Sequence, residues 1–271
     1  MRLPILLPAP SSATPLWSRP GSVLAVAAVS SAALLALLNA WSALDVSVSA
    51  RFFQSAPCAA ADSGAATRIC GLFPAASEPL YRTLREIGQH LPVALALATL
   101  GLLLAQPFTR GARLVGADVT RLALPIVSII LGPLLLVNMG LKAFWGRPRP
   151  FQSEPFGGDL AFVPAGDWSG ACASNCSFVS GEAATAFWLF AFVPLLRPRW
   201  RWPAGLAVTL FAAAVSFGRI AFGRHFLSDT LMAGALTLTV IALTGYLLQR
   251  PVARDLAQRW AAAVNRRRAT R

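Results

Sequence analysis

The sequence predicts an all-α, polytopic membrane protein with six transmembrane helices, and three observations carry that prediction. The chain is 56% hydrophobic and only 13% charged, about half the charged share of a soluble domain. Several apolar runs exceed the length of about 20 residues that a helix needs to cross a bilayer. Basic residues gather in alternate connections between those runs, as the positive-inside rule requires.

The elements follow in order. Residues 1–20, rich in proline and serine with Arg2 and Arg19, read as a disordered cytoplasmic tail. The first span covers 22–44 and is uncharged until Asp45. A signal peptide cleaved near Ser49-Ala50 is its rival, and the length of the run favours an uncleaved anchor. Residues 45–87 form a polar loop holding Cys58 and Cys70, with an interfacial helix around 78–89. The second span runs 88–106 and is followed by Arg110, Arg113 and Arg121; the third runs 122–143. After a loop with Cys172 and Cys176, the fourth span starts near Ser180 and stops at Leu196, before Arg197, Arg199 and Arg201. The fifth covers 202–221 and the sixth 229–249. The spans form one domain, 21–250, closed by a basic cytoplasmic tail, 251–271, with seven arginines from Arg250 onward.

With both termini inside, the cytoplasmic segments carry 15 Arg against Asp118 and Asp255, and the opposite face carries 9 basic against 9 acidic residues. Most of the net charge of +13 is therefore topological, and nucleic acid is not an expected partner. The partners expected are membrane lipids, including anionic lipid at the tail. All four cysteines fall on the outer side, where Cys58–Cys70 and Cys172–Cys176 are the expected disulfides and a four-thiolate zinc site is the alternative.

Three polar clusters lie on that outer face, each at a span boundary. The first is Lys142, the only lysine among 24 basic residues, with Arg147 and Arg149. The second is Ser177-Phe-Val-Ser180-Gly181-Glu182 at the start of the fourth span. The third is Arg219-x5-His225-x3-Asp229. Such residues are costly at a membrane and mark function more often than not. On a helix, His225 and Asp229 share a face. Asp229 can then accept a hydrogen bond from Nδ1–H and leave Nε2 as a nucleophile or base, though the same pair also reads as an ordinary i,i+4 contact. Fixed cations and helix-N-terminal amides suit a phosphoryl group. No metal-ligand constellation is present, so metal-independent chemistry without a cofactor is expected.

Lys-x6-Arg-Pro, Ser-Gly-x and Arg-x5-His-x3-Asp, in this order on these span ends, resemble the type 2 phosphatidic acid phosphatase (PAP2) superfamily. The resemblance spans roughly the second to the sixth span and implies a PAP2/haloperoxidase-like helical bundle core. It implies that Lys142, Arg149, Ser180, Gly181 and Arg219 cradle phosphate, that His225 is the nucleophile and that Asp229 orients it. One departure stands out. Where the superfamily usually has Ser-Gly-His, with the histidine protonating the leaving group, this chain has Glu182. Glu182 is read either as the general acid, which needs a raised pKa, or as a clamp on Arg149 or Arg219. An acidic residue there, together with Leu44-Asp45, Trp145-Gly-Arg-Pro-Arg-Pro150 and Asn175-Cys-Ser-Phe-Val-Ser-Gly-Glu-Ala183, resembles the bacterial lipid A 4'-phosphatases.

The expectation is an inner-membrane phosphatase that removes a lipid-linked phosphomonoester on the periplasmic face, lipid A 4'-phosphate foremost. Undecaprenyl-diphosphate, phosphatidic acid or phosphatidylglycerol-phosphate phosphatases, a lipid phosphotransferase, and a catalytically weak lipid-binding or lipid-moving protein remain alternatives. Arg147 and Arg224 are secondary substrate contacts or solvated charges. His90 reads as an interfacial polar residue, Asn138 as a helix–helix hydrogen-bonding residue, and the tryptophans, Trp145 among them, as interfacial anchors.

Overall fold

A computed structural model describes residues 20–57, 69–108 and 114–270. Its α-helices are α1 (Pro20–Ala40), α2 (Ala43–Ala50), α3 (Pro79–Ala105), α4 (Gly116–Ile129), α5 (Lys142–Phe144), α6 (Gly181–Trp188), α7 (Pro198–Ala221), α8 (Leu227–Leu248) and α9 (Pro251–Ala269). A twelve-residue π-helix, Ile130–Leu141, joins α4 to α5. A 3₁₀ segment, Leu189–Leu195, extends α6. Two short antiparallel strands, β1 (Gln54–Ser55) and β2 (Gly71–Leu72), lie in the loop after α2.

Among the described residues five helices are long and apolar enough to cross a membrane. The expected fourth span is shorter, Gly181–Leu195. Its 3₁₀ half rises faster per residue than its α half, so the segment still reaches about 26 Å. It needs no lipid-facing stripe, because other helices wall it in. Ala183, Ala184, Ala186 and Trp188 are fully buried, and small residues let neighbouring backbones close in. The Trp188 indole N–H reaches the Pro125 carbonyl (2.9 Å) and the Ser128 hydroxyl (3.2 Å). On α8, Gly234 makes room for Phe187, whose ring would lie 2.9 Å from any added Cβ.

The first span belongs to this bundle. Ser31 and Thr239 share a 2.9 Å hydrogen bond between α1 and α8, and Leu38 packs with Val137, Trp145 and Met232. Trp145 is therefore core rather than an interfacial anchor: it stacks on Phe178 with ring centroids 4.4 Å apart and is 6% exposed. Among the described residues Asn138 bonds no other helix. Its Nδ2 donates instead to the Pro133 carbonyl (2.7 Å) of its own π-helix.

Two expected boundaries shift. The interfacial helix and the second span are one helix, α3, which carries Pro92 inside it; neighbouring groups in a helical bundle make such prolines tolerable. The basic C-terminal segment is helical and docked. Ala257 and Ala261 of α9 pack on Val119 of α4, and Asn265 exchanges two hydrogen bonds with the Leu114 backbone (3.0 and 2.8 Å). Residues 1–19, Cys58, Arg110 and Arg113 lie outside the described residues. Cys172 and Cys176 form a disulfide with their Cα atoms 5.8 Å apart.

Candidate active site

The turn between α7 and α8 builds the histidine's seat. Gly223 sits at φ +64°, and an added Cβ there would collide with Phe73 at 2.3 Å; glycine alone meets both demands cheaply. The turn folds back so that the Arg224 and His225 amides both donate to the Arg219 carbonyl (3.2 and 3.3 Å). His225 is 1% exposed, and its Nδ1 lies 2.8 Å from the Ser177 carbonyl. A carbonyl only accepts, so the neutral ring carries its proton on Nδ1 and leaves a lone pair on Nε2. Burial pushes the imidazole down to about 4; Asp229 opposes that shift, and the charges of Arg219 and Lys142 reinforce it.

Asp229 does not make the expected hydrogen bond to Nδ1. Its Oδ2 stands 3.8 Å away, beyond hydrogen-bonding distance. Position decides this. Asp229 is the third residue of α8, where a carboxylate folds back to accept the N-terminal amide of its helix. Its Oδ2 accepts from Phe226 N (2.8 Å) and from the Ser177 hydroxyl. Ser177 thus bridges the pair, with its hydroxyl on the carboxylate and its carbonyl on the imidazole. Its own amide is tied to the Arg147 carbonyl at 2.8 Å.

Arg147 is neither a substrate contact nor a solvated charge. It is fully buried, and its donors are taken: Nε by the Val163 carbonyl (2.8 Å), Nη2 by Asp45 (2.7 Å), and Nη1 by Ser228 Oγ (2.7 Å) and Asp229. Its guanidinium lies over the Phe226 ring, 4.6 Å from the centroid. A guanidinium so enclosed cannot turn toward a ligand. Arg224, by contrast, is exposed and rests over Phe151 at 4.5 Å.

The remaining cations stand around the start of α6. Ser180 caps that helix, its hydroxyl accepting from Ala183 N at 3.4 Å, and Gly181 is the first residue inside it. A Cβ on Gly181 would lie 2.9 Å from Asn138 Oδ1 and 3.2 Å from Lys142 Nζ, so glycine keeps the lysine against the helix N-terminus. Arg149 spends Nε and Nη2 on Asn175, at 2.8–3.1 Å. Burial, with the Arg224 charge adding to it, pulls its guanidinium pKa down. Glu182 contacts two arginines, Arg219 Nε at 3.3 Å and Arg85 Nε at 3.4 Å. The first is a close charge contact without hydrogen-bond geometry, since neither atom has a hydrogen-bond partner.

Lys142, Arg149, Ser180, Gly181, Glu182, Arg219, His225 and Asp229 therefore share one end of the bundle, linked through Asn138, Asn175, Ser177 and the α6 N-terminus. Asp45, Asn175 and Ser177, which the sequence marks only as members of the motif stretches, join them with contacts of their own. Ser228 and Arg85 join them with no such signal. His90 lies exposed on α3.

Residues 121–252 match the PAP2 superfamily. A protein of Rhizobium leguminosarum named lipid A 4'-phosphatase is 37% identical over 210 residues, 78% of this chain and 89% of that one. A protein of the same name from Rhizobium etli is 38% identical over 213 residues, 78% of this chain and 81% of that one. A crystal structure of a transmembrane PAP2-type phosphatidylglycerolphosphate phosphatase from Bacillus subtilis superposes with a TM-score of 0.46 at 17% identity, covering 84% of this chain and 95% of that chain. With relatives of this identity covered along most of their length, the chain belongs to the PAP2 superfamily.

Proposed function

We propose that the protein is a membrane lipid phosphatase that hydrolyses a phosphomonoester through a phosphohistidine, with lipid A 4'-phosphate as substrate. The observation that carries this reading is the Ser177 carbonyl 2.8 Å from His225 Nδ1, which leaves Nε2 as the free nucleophile among fixed cations. Nε2 attacks phosphorus, the P–O bond to the sugar breaks, and the leaving alkoxide takes a proton from water at the mouth of the site. A second water then attacks phosphorus, the P–N bond breaks and inorganic phosphate leaves. Lys142, Arg149, Arg219 and the α6 amides hold the phosphoryl oxygens as charge builds on them.

Glu182 acts as a clamp in this reading. Its two contacts with Arg219 and Arg85 set the guanidinium of Arg219 and occupy the carboxylate that a general acid would need to free. The positive-inside bias puts the site on the periplasmic side of the inner membrane, with α9 and both termini cytoplasmic. The lipid substrate follows from the names of the relatives together with the acidic residue at Glu182.

Two measurements test this. His225→Ala in purified protein should abolish phosphate release, and full activity in that variant would end the mechanism. Cells carrying the protein should show lipid A lighter by one phosphate than cells without it; an unchanged mass profile would move the substrate to another lipid phosphate.

A further inference from the structure

Asp45 lies outside the matched residues 121–252 and some 180 positions from the histidine, yet it is 2% exposed and fully engaged. Its Oδ1 accepts from Ser228 N (2.8 Å), and its Oδ2 accepts from Ser228 Oγ (2.6 Å) and Arg147 Nη2 (2.7 Å). Arg147 passes the connection on through Nη1 to Asp229. Asp229 holds the Ser177 hydroxyl, and the Ser177 carbonyl holds His225 Nδ1. Five residues from four separate stretches thus form one buried chain, which crosses Ser177 from its hydroxyl to its backbone carbonyl and ends at the imidazole.

Charge explains why the far end matters. Arg147 sits between two carboxylates, and removing one leaves a buried guanidinium with a single counter-ion. It then draws more strongly on Asp229, in competition with the Ser177 hydroxyl. Among the described residues Ser177 alone joins the Asp229 carboxylate, through its hydroxyl, to the carbonyl that holds Nδ1–H, so loosening it frees the ring to exchange tautomers. Partners that orient a metal-bound imidazole change activity by about 10–100-fold when lost, and the same scale is carried over to a partner that orients this one.

We propose that Asp45 is a positioning residue for the His225 nucleophile, acting through Arg147, Asp229 and Ser177, so that the segment following the first span is part of the catalytic apparatus. This rests on the phosphohistidine reading, and the two can fail separately. If His225→Ala retains activity, the reading itself falls. If His225→Ala is dead and Asp45→Asn is normal, only the positioning role falls.

The test is Asp45→Asn in the full-length protein in detergent, assayed on a lipid A bearing the 4'-phosphate and examined by NMR with ¹⁵N-labelled histidine. The chain has 2 histidines, so exposed His90 serves as an internal reference. The expected result is a kcat lower by 10–100-fold, a KM within about threefold, and His225 ring signals moving from a single Nδ1–H tautomer to a mixture. A kcat within twofold of wild type overturns the proposal. So does a lost kcat with unchanged His225 signals, which would mark a purely structural role. Should Asp45→Asn fail to fold, Ser228→Ala decides, because it removes a hydroxyl from the same node and keeps every charge. It should lower kcat by roughly 3–10-fold with the same change in the ring signals, and wild-type kcat in that variant also overturns the proposal.

Discussion

At the scale of single residues, His225 makes the sharpest demand. Its folded pKa of about 4 lies below the ordinary value near 6.5, so the unfolded chain takes the proton first. The fold should therefore lose stability as pH falls from about 6.5 toward about 4, and that part of the loss should be missing in His225→Gln, as thermal melts in detergent will read. The rate should be flat above pH 5 for this group and fall as pH drops through about 4, where Nε2 gains its proton. Glu182→Gln separates clamp from acid. A clamp loses roughly 3–10-fold in kcat/KM, whereas a general acid loses on the order of 100-fold or more in kcat. The motif residues His225, Arg219, Ser180 and Lys142 were legible because their spacing is local and their cost in a membrane is high. Arg147 was not. Nothing in Trp145-Gly-Arg-Pro-Arg-Pro150 tells which arginine faces a ligand and which is buried, because the partner that decides it, Asp45, is 102 positions away.

Among the elements, α6 organises the site and also explains a misread boundary. Hydropathy measures contact with lipid, and α6 touches protein on nearly every side, so its alanines look like an ordinary span but build a shorter, buried one. Gly181 and Gly234 set how closely it is approached. Gly181→Ala would push a methyl against Asn138 and Lys142 and should lower kcat/KM at least tenfold while the protein stays folded. Gly234→Ala would crowd the Phe187 ring and should cost about 1–3 kcal/mol in stability, with less effect on KM. The π-helix 130–141 had no sequence signal beyond Gly132 and Pro133, since the widened turn is fixed by packing and by Asn138 capping a carbonyl of its own helix. The continuity of α3 was hidden by Pro92 and by the polar Arg82–Arg85 stretch, which together resemble a boundary. That continuity is what brings Arg85 to Glu182.

For the whole molecule, number and order of spans were legible because the bilayer imposes a length and a charge bias, and both are written in composition. What the bias predicts is also directly measurable. A cysteine placed at exposed Trp168, on the site end, should react with a membrane-impermeant maleimide added outside intact cells whose outer membrane has been opened. One placed at Arg254 of α9 should react only after lysis, and the reverse pattern would invert the topology. The docked α9 escaped sequence reading because its helix is polar on most faces, and only its contacts with α4 show which small residues turn inward. The claim on which the account depends is that phosphate passes through His225 before it meets water. A phosphorothioate analogue of the substrate, made chiral at phosphorus with two oxygen isotopes and hydrolysed in water of the third, tests it most directly. Two in-line displacements, through histidine and then water, predict net retention of configuration in the released thiophosphate, and inversion would contradict the account.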